Sequence, residues 1–544
     1  MAQIHKLQNN ADYYFDKGVS YSDNGEYTKA IDCFYRAYEL DVNKDSADTL
    51  LEIGACYAML GEHYSALKMY YRTLAIDAKN ESAFVGIISS LIELNRNPEA
   101  IYYINYSDSK NIIGEDYDVS VTNHKNFKVV GKYDREATIY VARKLMHSGE
   151  YSYAKKLLEE VPPQSRDYIE ALNLIAMIYL REEKFVSSAL VCDAVLAKLP
   201  NDVNALTSKI VALHYANNIK ERDEIIERLD DVNVTKEQDI KKVAKCMQQV
   251  KNEKYTLKYY KKLLDFTPYD KVANLLVAII YHNMGKHSLA HSIMVKLAKL
   301  YPDCEKVKYF AINLREGNDK FDVVPDIPQS EQESWFDEIN DTLSSLKTVE
   351  RVANYVKKHS EFYDKLRWII TSPQVKIAGH ISAFLAQSVY FHPLIRELLV
   401  NPDVNYYAKR ECLAPFLEFA QKKNFAMFLQ DVVQFFKPHQ PKLKVSNELN
   451  TAYWRVYANC AFITTDFDKA LNLNYKTFAK RIMELPSDKC DEFEVNELTA
   501  VFAFITKLHP IFIDKKAVCN LFEADEKKFD ALLDLYNFKL EEKQ

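Results

Sequence analysis

The stretch KVANLLVAIIYHNMGKHSLAHSIMVKLAKLYP, residues 271–302, reads as two helices around a glycine, Gly285, closed by a proline, Pro302. Apolar residues return every three or four positions on both sides of that glycine, the period of a helix and not of a strand. Pro268 stands thirty-four residues before Pro302, and Pro200 stands twice that distance before Pro268. Counting from a proline at the thirty-second place gives repeats starting at Arg135, Ile169, Val203, Glu237 and Lys271, with no insertion between them. Self-similarity at this length means stacked helical hairpins, each covering the apolar face of the next.

Small and aromatic residues recur in phase. Ala142, Ala176, Ala244 and Ala278 hold the eighth place, Tyr179 and Tyr281 the eleventh, Ala154 and Ala290 the twentieth. A small side chain there lets two helices approach closely. Upstream, Gly18, Tyr21, Gly25, Tyr27, Ala30, Phe34 and Ala37 form one unit, and Gly54, Tyr57, Gly61 and Ala66 the next. A third, near Glu81, keeps Ala100 and brings the number of repeats to eight.

On these residues the chain resembles the tetratricopeptide repeat (TPR) family over about residues 11–316. The fold expected is all-α: an N-terminal TPR superhelical solenoid followed by a second helical, HEAT-like module. Repeats one to three fall in residues 1–104 and repeats four to eight, with a capping helix from Cys304 to Arg315, in 135–316. Between Glu81 and Arg135 lie twenty residues more than one period, so 105–134 is read as an inserted loop or hairpin. Residues 317–332, with Pro325 and Pro328, read as a linker. Helical modules are expected at 333–440, including a series from Ile377 to Phe436, and at 446–540. In the last of these Tyr453, Trp454, Tyr457 and Phe462 share one helix, and Lys515 to Tyr536 outlines a helical hairpin.

Composition narrows the function. A net charge of −6 gives no general attraction to phosphate backbones. No run approaches eighteen apolar residues, and the N-terminus lacks a signal-peptide core, so a cytoplasmic protein is expected. The nine cysteines stand at least twenty-three residues apart, which leaves no metal knuckle or dense disulfide framework; reduced, mostly buried thiols are expected. Of eleven glycines only Gly379 follows residue 333, too few for a phosphate cradle or nucleophile elbow in that half. His282, His287 and His291 have helical spacing that could hold zinc, but no carboxylate completes the motif, and packed histidines are the better reading. No catalytic residue, cofactor or metal is expected.

The TPR resemblance implies a concave groove lined by the second, fifth, ninth, twelfth and thirteenth places of successive first helices. Carried over, those places put Asp12, Phe15, Val19, Leu51, Ala55 and Met59 in the early groove. The middle receives Arg143, His147, Asn173, Arg181, Asn204, Thr207, His214 and Tyr215, then Lys241, Lys245, Gln248 and Gln249. Long cations and amides there suit an extended or acidic peptide, because amides bond its backbone and cations its carboxylates. The peptide-groove candidates are Arg143, Asn173, Arg181, Asn204, His214, Tyr215, Lys241, Lys245 and Gln248. Family members that grip a chaperone's C-terminal carboxylate do so with a lysine and asparagines. Phe15, Val19 and Glu52 occupy such places here, so carboxylate-clamp binding in the first two repeats is not expected.

The chain is therefore read as a non-catalytic protein-interaction scaffold. One alternative is a regulator whose terminal hairpin contacts nucleic acid through Lys515, Lys516, Lys527 and Lys528. Its second helix also carries Asp525, Glu526, Asp530 and Asp534, which a phosphate-facing helix would not. The other alternative is a helical enzyme with a site in 333–540 around His380, His392 or His509.

Overall fold

A computed structural model describes residues 10–41, 46–114, 138–147, 149–302, 304–314, 320–371, 375–421, 423–429, 431–463, 467–485 and 493–541. The chain divides into two compact units: residues 1–127 with 155–340, and residues 128–154 with 341–544.

The first unit is built of helical hairpins. Ala11–Asp23 pairs with Tyr27–Leu40, Ala47–Met59 with His63–Ile76, and Glu81–Glu93 with Asn97–Lys110. After the fourth repeat come Tyr168–Arg181 with Phe185–Lys198, Val203–Tyr215 with Ile219–Asp231, Glu237–Gln249 with Glu253–Leu264, and Lys271–Asn283 with His287–Leu300. First helices begin at Glu81, Val203, Glu237 and Lys271, the residues from which the repeat phase counts.

One backbone position explains why the period persists where its sequence signature fades. The fifteenth place of every hairpin is left-handed: Gly25, Gly61, Gly149 and Gly285, but also Asn95, Glu183, Asn217 and Lys251, all with positive φ. A left-handed residue ends one helix and turns the chain into the next. Glycine enters it freely, whereas the other four hold it against a steric cost. The eighth place works through packing. A Cβ on Gly18 would stand 2.6 Å from the Phe34 ring, and one on Gly54 2.7 Å from Tyr70. Gly86, in the next hairpin, would meet the same Tyr70 at 2.5 Å. Tyr70 is thus clasped between two glycines.

The fourth repeat departs from this plan. Its helices, Thr138–His147 and Tyr151–Glu159, span the boundary between the units. The first of them packs against Asn447–Ile463 within the second unit. The helix Asn97–Lys110 runs five residues past Asn105, where helical periodicity was expected to stop. Residues 115–134, the rest of the expected insertion, lie outside the described residues.

Within the first unit, the second hairpin also reaches the seventh and eighth. Tyr57 donates to the Leu300 carbonyl at 2.5 Å and stacks on Tyr301. Tyr301 donates to the Tyr269 carbonyl and pairs with Ser65. Glu62, buried, accepts the Tyr269 N–H at 2.8 Å. Burial pushes the Glu62 carboxyl up to about 7, against that hydrogen bond; Asp270 and Glu237 add to the rise and Lys241 opposes it.

The second unit is also largely helical. Helices Val349–Val356, Ser360–Ile370, Val375–Leu385, His392–Val400 and Tyr406–Phe419 lead to an antiparallel hairpin, β1 (Phe425–Leu429) and β2 (Val432–Phe436), in register Phe425 to Phe436 and Leu429 to Val432. This corrects the helical reading of Ile377 to Phe436. All five residues of β1 are buried, so the strand lacks the alternation that marks a half-exposed one. Lys409, fully buried, donates to the Phe428 carbonyl at 3.1 Å, and burial lowers its ammonium to about 7. Helices Asn447–Ile463, Asp468–Met483, Val495–Thr506, Lys515–Phe522 and Glu526–Glu541 complete the unit. Tyr453, Trp454, Tyr457 and Phe462 all lie buried on the first of these.

Candidate peptide groove

The groove places of the seventh and eighth hairpins face a segment of the chain itself. Residues 320–328, within the expected linker, are followed directly by the helix Gln329–Leu346, so the connection is shorter than 317–332. Asn283, the thirteenth place of the eighth hairpin, accepts the Phe321 N–H at 2.9 Å and donates to the Phe321 carbonyl at 2.8 Å. Gln248, the twelfth place of the seventh, donates to the Val323 carbonyl at 3.1 Å. The phase continues into the capping helix Glu305–Asn313. Lys306, its second place, meets the Asp326 carboxylate at 2.8 Å and the Pro325 carbonyl at 3.4 Å.

Two kinds of contact act together. The amides bind main-chain atoms, as an amide does when it completes the hydrogen bonds of an extended chain. Side chains add anchors: the Phe321 ring packs edge-on against His282 and Phe310, Val323 rests on the core of the fifth to eighth hairpins, and Ile327 is fully buried. Asp322 and Val324 point to solvent. Covered and exposed residues alternate along 321–324, but the segment bends at 323–326, where the Val324 N–H donates to the Asp322 carbonyl at 2.8 Å. His282, which meets the Phe321 ring, also pairs with His287 through their Nδ1 atoms, 3.1 Å apart. That pairing gives the histidines a packing role, and among the described residues no group of three or more metal-ligating side chains comes together.

The other expected groove residues divide. Asn173 donates to Asp202 at 3.2 Å while its Oδ1 is buried and has no partner among the described residues. Arg181 is exposed, Asn204 half-buried. Tyr215 is 49% exposed and stacks on Phe185. His214 meets Arg222 at 3.1 Å; burial, then the charges of Arg222 and Lys251, lower its basicity. Lys241 turns to the contact with the second hairpin, 4.9 Å above the Tyr64 ring and 4.0 Å from Asp270. Lys245 is exposed. Arg143, also exposed, belongs to the second unit. Asn283 and Lys306 were missed, although each sits at a groove place of the same phase: the count was stopped one hairpin early.

Several residues of the two alternatives make structural contacts. His392 pairs with the Ala386 carbonyl at 3.0 Å, and His509 accepts the Ile511 N–H at 3.1 Å, while His380 is exposed. Lys515 pairs with Asp530 and Lys528 with Glu494. The terminal hairpin forms as expected, with Glu523 left-handed at its turn. Eight cysteines are free, seven of them buried, and Cys490 lies outside the described residues. Among the described residues no helix is long and apolar enough to cross a membrane.

No family model and no curated protein matches the chain. Among solved structures it is similar to yeast Tom70, with 12% identity, 98% of this chain and 96% of that one covered, and a TM-score of 0.20. The structure titled as Naa15/Naa10 bound to HypK-THB gives 13%, 98%, 96% and 0.16. That of pilF from Pseudomonas aeruginosa gives 13%, 48%, 94% and 0.17. TM-scores this low do not establish a common shape, so the all-α hairpin architecture stands on the chain's own helices, turns and period.

Proposed function

We propose that this chain is a non-catalytic protein-interaction scaffold whose repeat groove takes extended peptide segments. The observation that carries the proposal is the seating of residues 321–326 on Gln248, Asn283 and Lys306, since it displays backbone recognition by groove-place amides within this chain. The fifth and sixth hairpins offer the same chemistry. Asn173 has a buried acceptor to spare, Arg181 supplies a charge, and Tyr215 presents an aromatic face. An acidic side chain would meet Arg181.

Selection of displayed random peptides on the full chain tests this reading. Enriched peptides should be extended and acidic, and should lose at least tenfold in affinity on the double variant Arg181→Glu, Tyr215→Ala. Peptides that bind the variant as well as the parent would remove the middle groove from the proposal.

A further inference from the structure

We infer that residues 321–326, Phe-Asp-Val-Val-Pro-Asp, are an intramolecular ligand of the groove formed by the seventh and eighth hairpins and the capping helix. The partner of this groove is then a peptide of like pattern that takes the same bend: an aromatic residue, an aliphatic two places on, then proline and an acidic residue. The inference rests on the scaffold reading and names the ligand class at one end of the groove.

The contacts separate recognition from mere packing. Four of them reach main-chain atoms: the Phe321 N–H and carbonyl, the Val323 carbonyl and the Pro325 carbonyl. Such bonds hold this bent backbone, with its own Val324 N–H to Asp322 carbonyl bond, whatever its side chains. Specificity comes from two ends, the Phe321 ring between His282 and Phe310 and the Asp326 carboxylate on Lys306. Proline at 325 suits the site because its nitrogen has no proton to satisfy and its ring favours the extended form. Phe321 and Val323 are only half-buried, and Val324 is 40% exposed. A segment so shallowly seated is replaceable. Ile327, by contrast, is wholly buried and tethers it.

Tethering sets the strength of the competition. A segment held this close has an effective concentration on the order of millimolar, so a peptide of roughly 10 µM intrinsic affinity binds about 100-fold more weakly while the segment is in place. The groove is therefore masked in cis and opens to a partner that brings a better match or a second contact.

The test uses a fluorescein-labelled peptide, KFDVVPDI, and fluorescence anisotropy with the full chain. The variant Phe321→Ser, Val323→Ser, Asp326→Ala should bind it about 100-fold more tightly than the parent. Adding Asn283→Ala should cancel at least tenfold of that gain. Equal binding by parent and triple variant, or indifference to Asn283→Ala, would overturn the inference. Should the triple variant fail to fold, hydrogen exchange on Asn283→Ala alone decides. Amides 321 and 324 should exchange at least tenfold faster with the rest of the array unchanged, and unaltered exchange refutes the assignment. Arg181 and Tyr215 are untouched throughout, so this result and that for the middle groove are read independently.

Discussion

The middle and the end of the repeat array use the same repeat places and end in different states. At the fifth and sixth hairpins, Arg181 and Tyr215 stand exposed. At the seventh and eighth, Gln248 and Asn283 are engaged by residues 321–323. The difference shows that side-chain chemistry at a groove place does not by itself decide whether the place is open; what decides is whether the chain returns to it. Glutamine and asparagine were met by their own backbone because the capping helix sends the chain back across the last two hairpins.

That contrast breaks most directly at Ile327. Its fully buried side chain makes Ile327→Ala cost about 4 kcal/mol through the cavity left behind. Tyr215→Ala, at a half-exposed position of the open stretch, should cost under about 1 kcal/mol. Urea midpoints of the two variants measure this, and similar losses would mean that the covered segment adds nothing to the fold.

The second test concerns the contact that joins the ends of the array. The Glu62 carboxyl ionises near 4.5 in an unfolded chain and near 7 in the fold. Its raised value means that the folded form keeps the proton longer. The stability it allows is complete below pH 4.5 and is lost as pH rises through about 7. Glu62→Gln keeps an acceptor for the Tyr269 N–H and cannot ionise. It should exceed the parent by about 3 kcal/mol at pH 8 and match it at pH 4, read from denaturation at both pH values. A pH-independent difference would dismiss ionisation as the cause.

The smallest effect is expected at Lys306. Its pair with Asp326 is partly exposed, so Lys306→Ala should cost under about 1 kcal/mol, and near 1 M salt should shrink the deficit. A larger, salt-insensitive loss would assign Lys306 a packing role through its aliphatic stem.

Much of the fold was legible because the repeat leaves local marks. Small residues at the eighth place of most hairpins and a left-handed turn at the fifteenth, glycine in four of the eight, mark where helices touch and turn, and the phase they set extends to Lys306. What escaped is non-periodic. The buried strand Phe425–Leu429 is a continuous apolar run, and Val432–Phe436 one broken only by Gln434, patterns that a buried helix also shows. Nothing about Ala142 reveals that its helix packs against Asn447–Ile463. Lys241 occupied a groove place by count, yet its partners, Tyr64 and Asp270, are set by tertiary contact. Gln248 was found through its place and its amide; Asn283 was available by the same rule.

The junction of Tyr57, Glu62 and Ser65 with Tyr269, Leu300 and Tyr301 changes how this array should come apart. A stack whose members touch only their neighbours frays from either end, and its stability is roughly a sum over adjacent pairs. Contacts separated by 207 to 243 residues couple the second hairpin to the last two. Loosening one end then releases the other, so melting becomes more cooperative. Assembly acquires a long loop that must close before its bonds can form, which slows the final step of folding relative to an open stack of equal length.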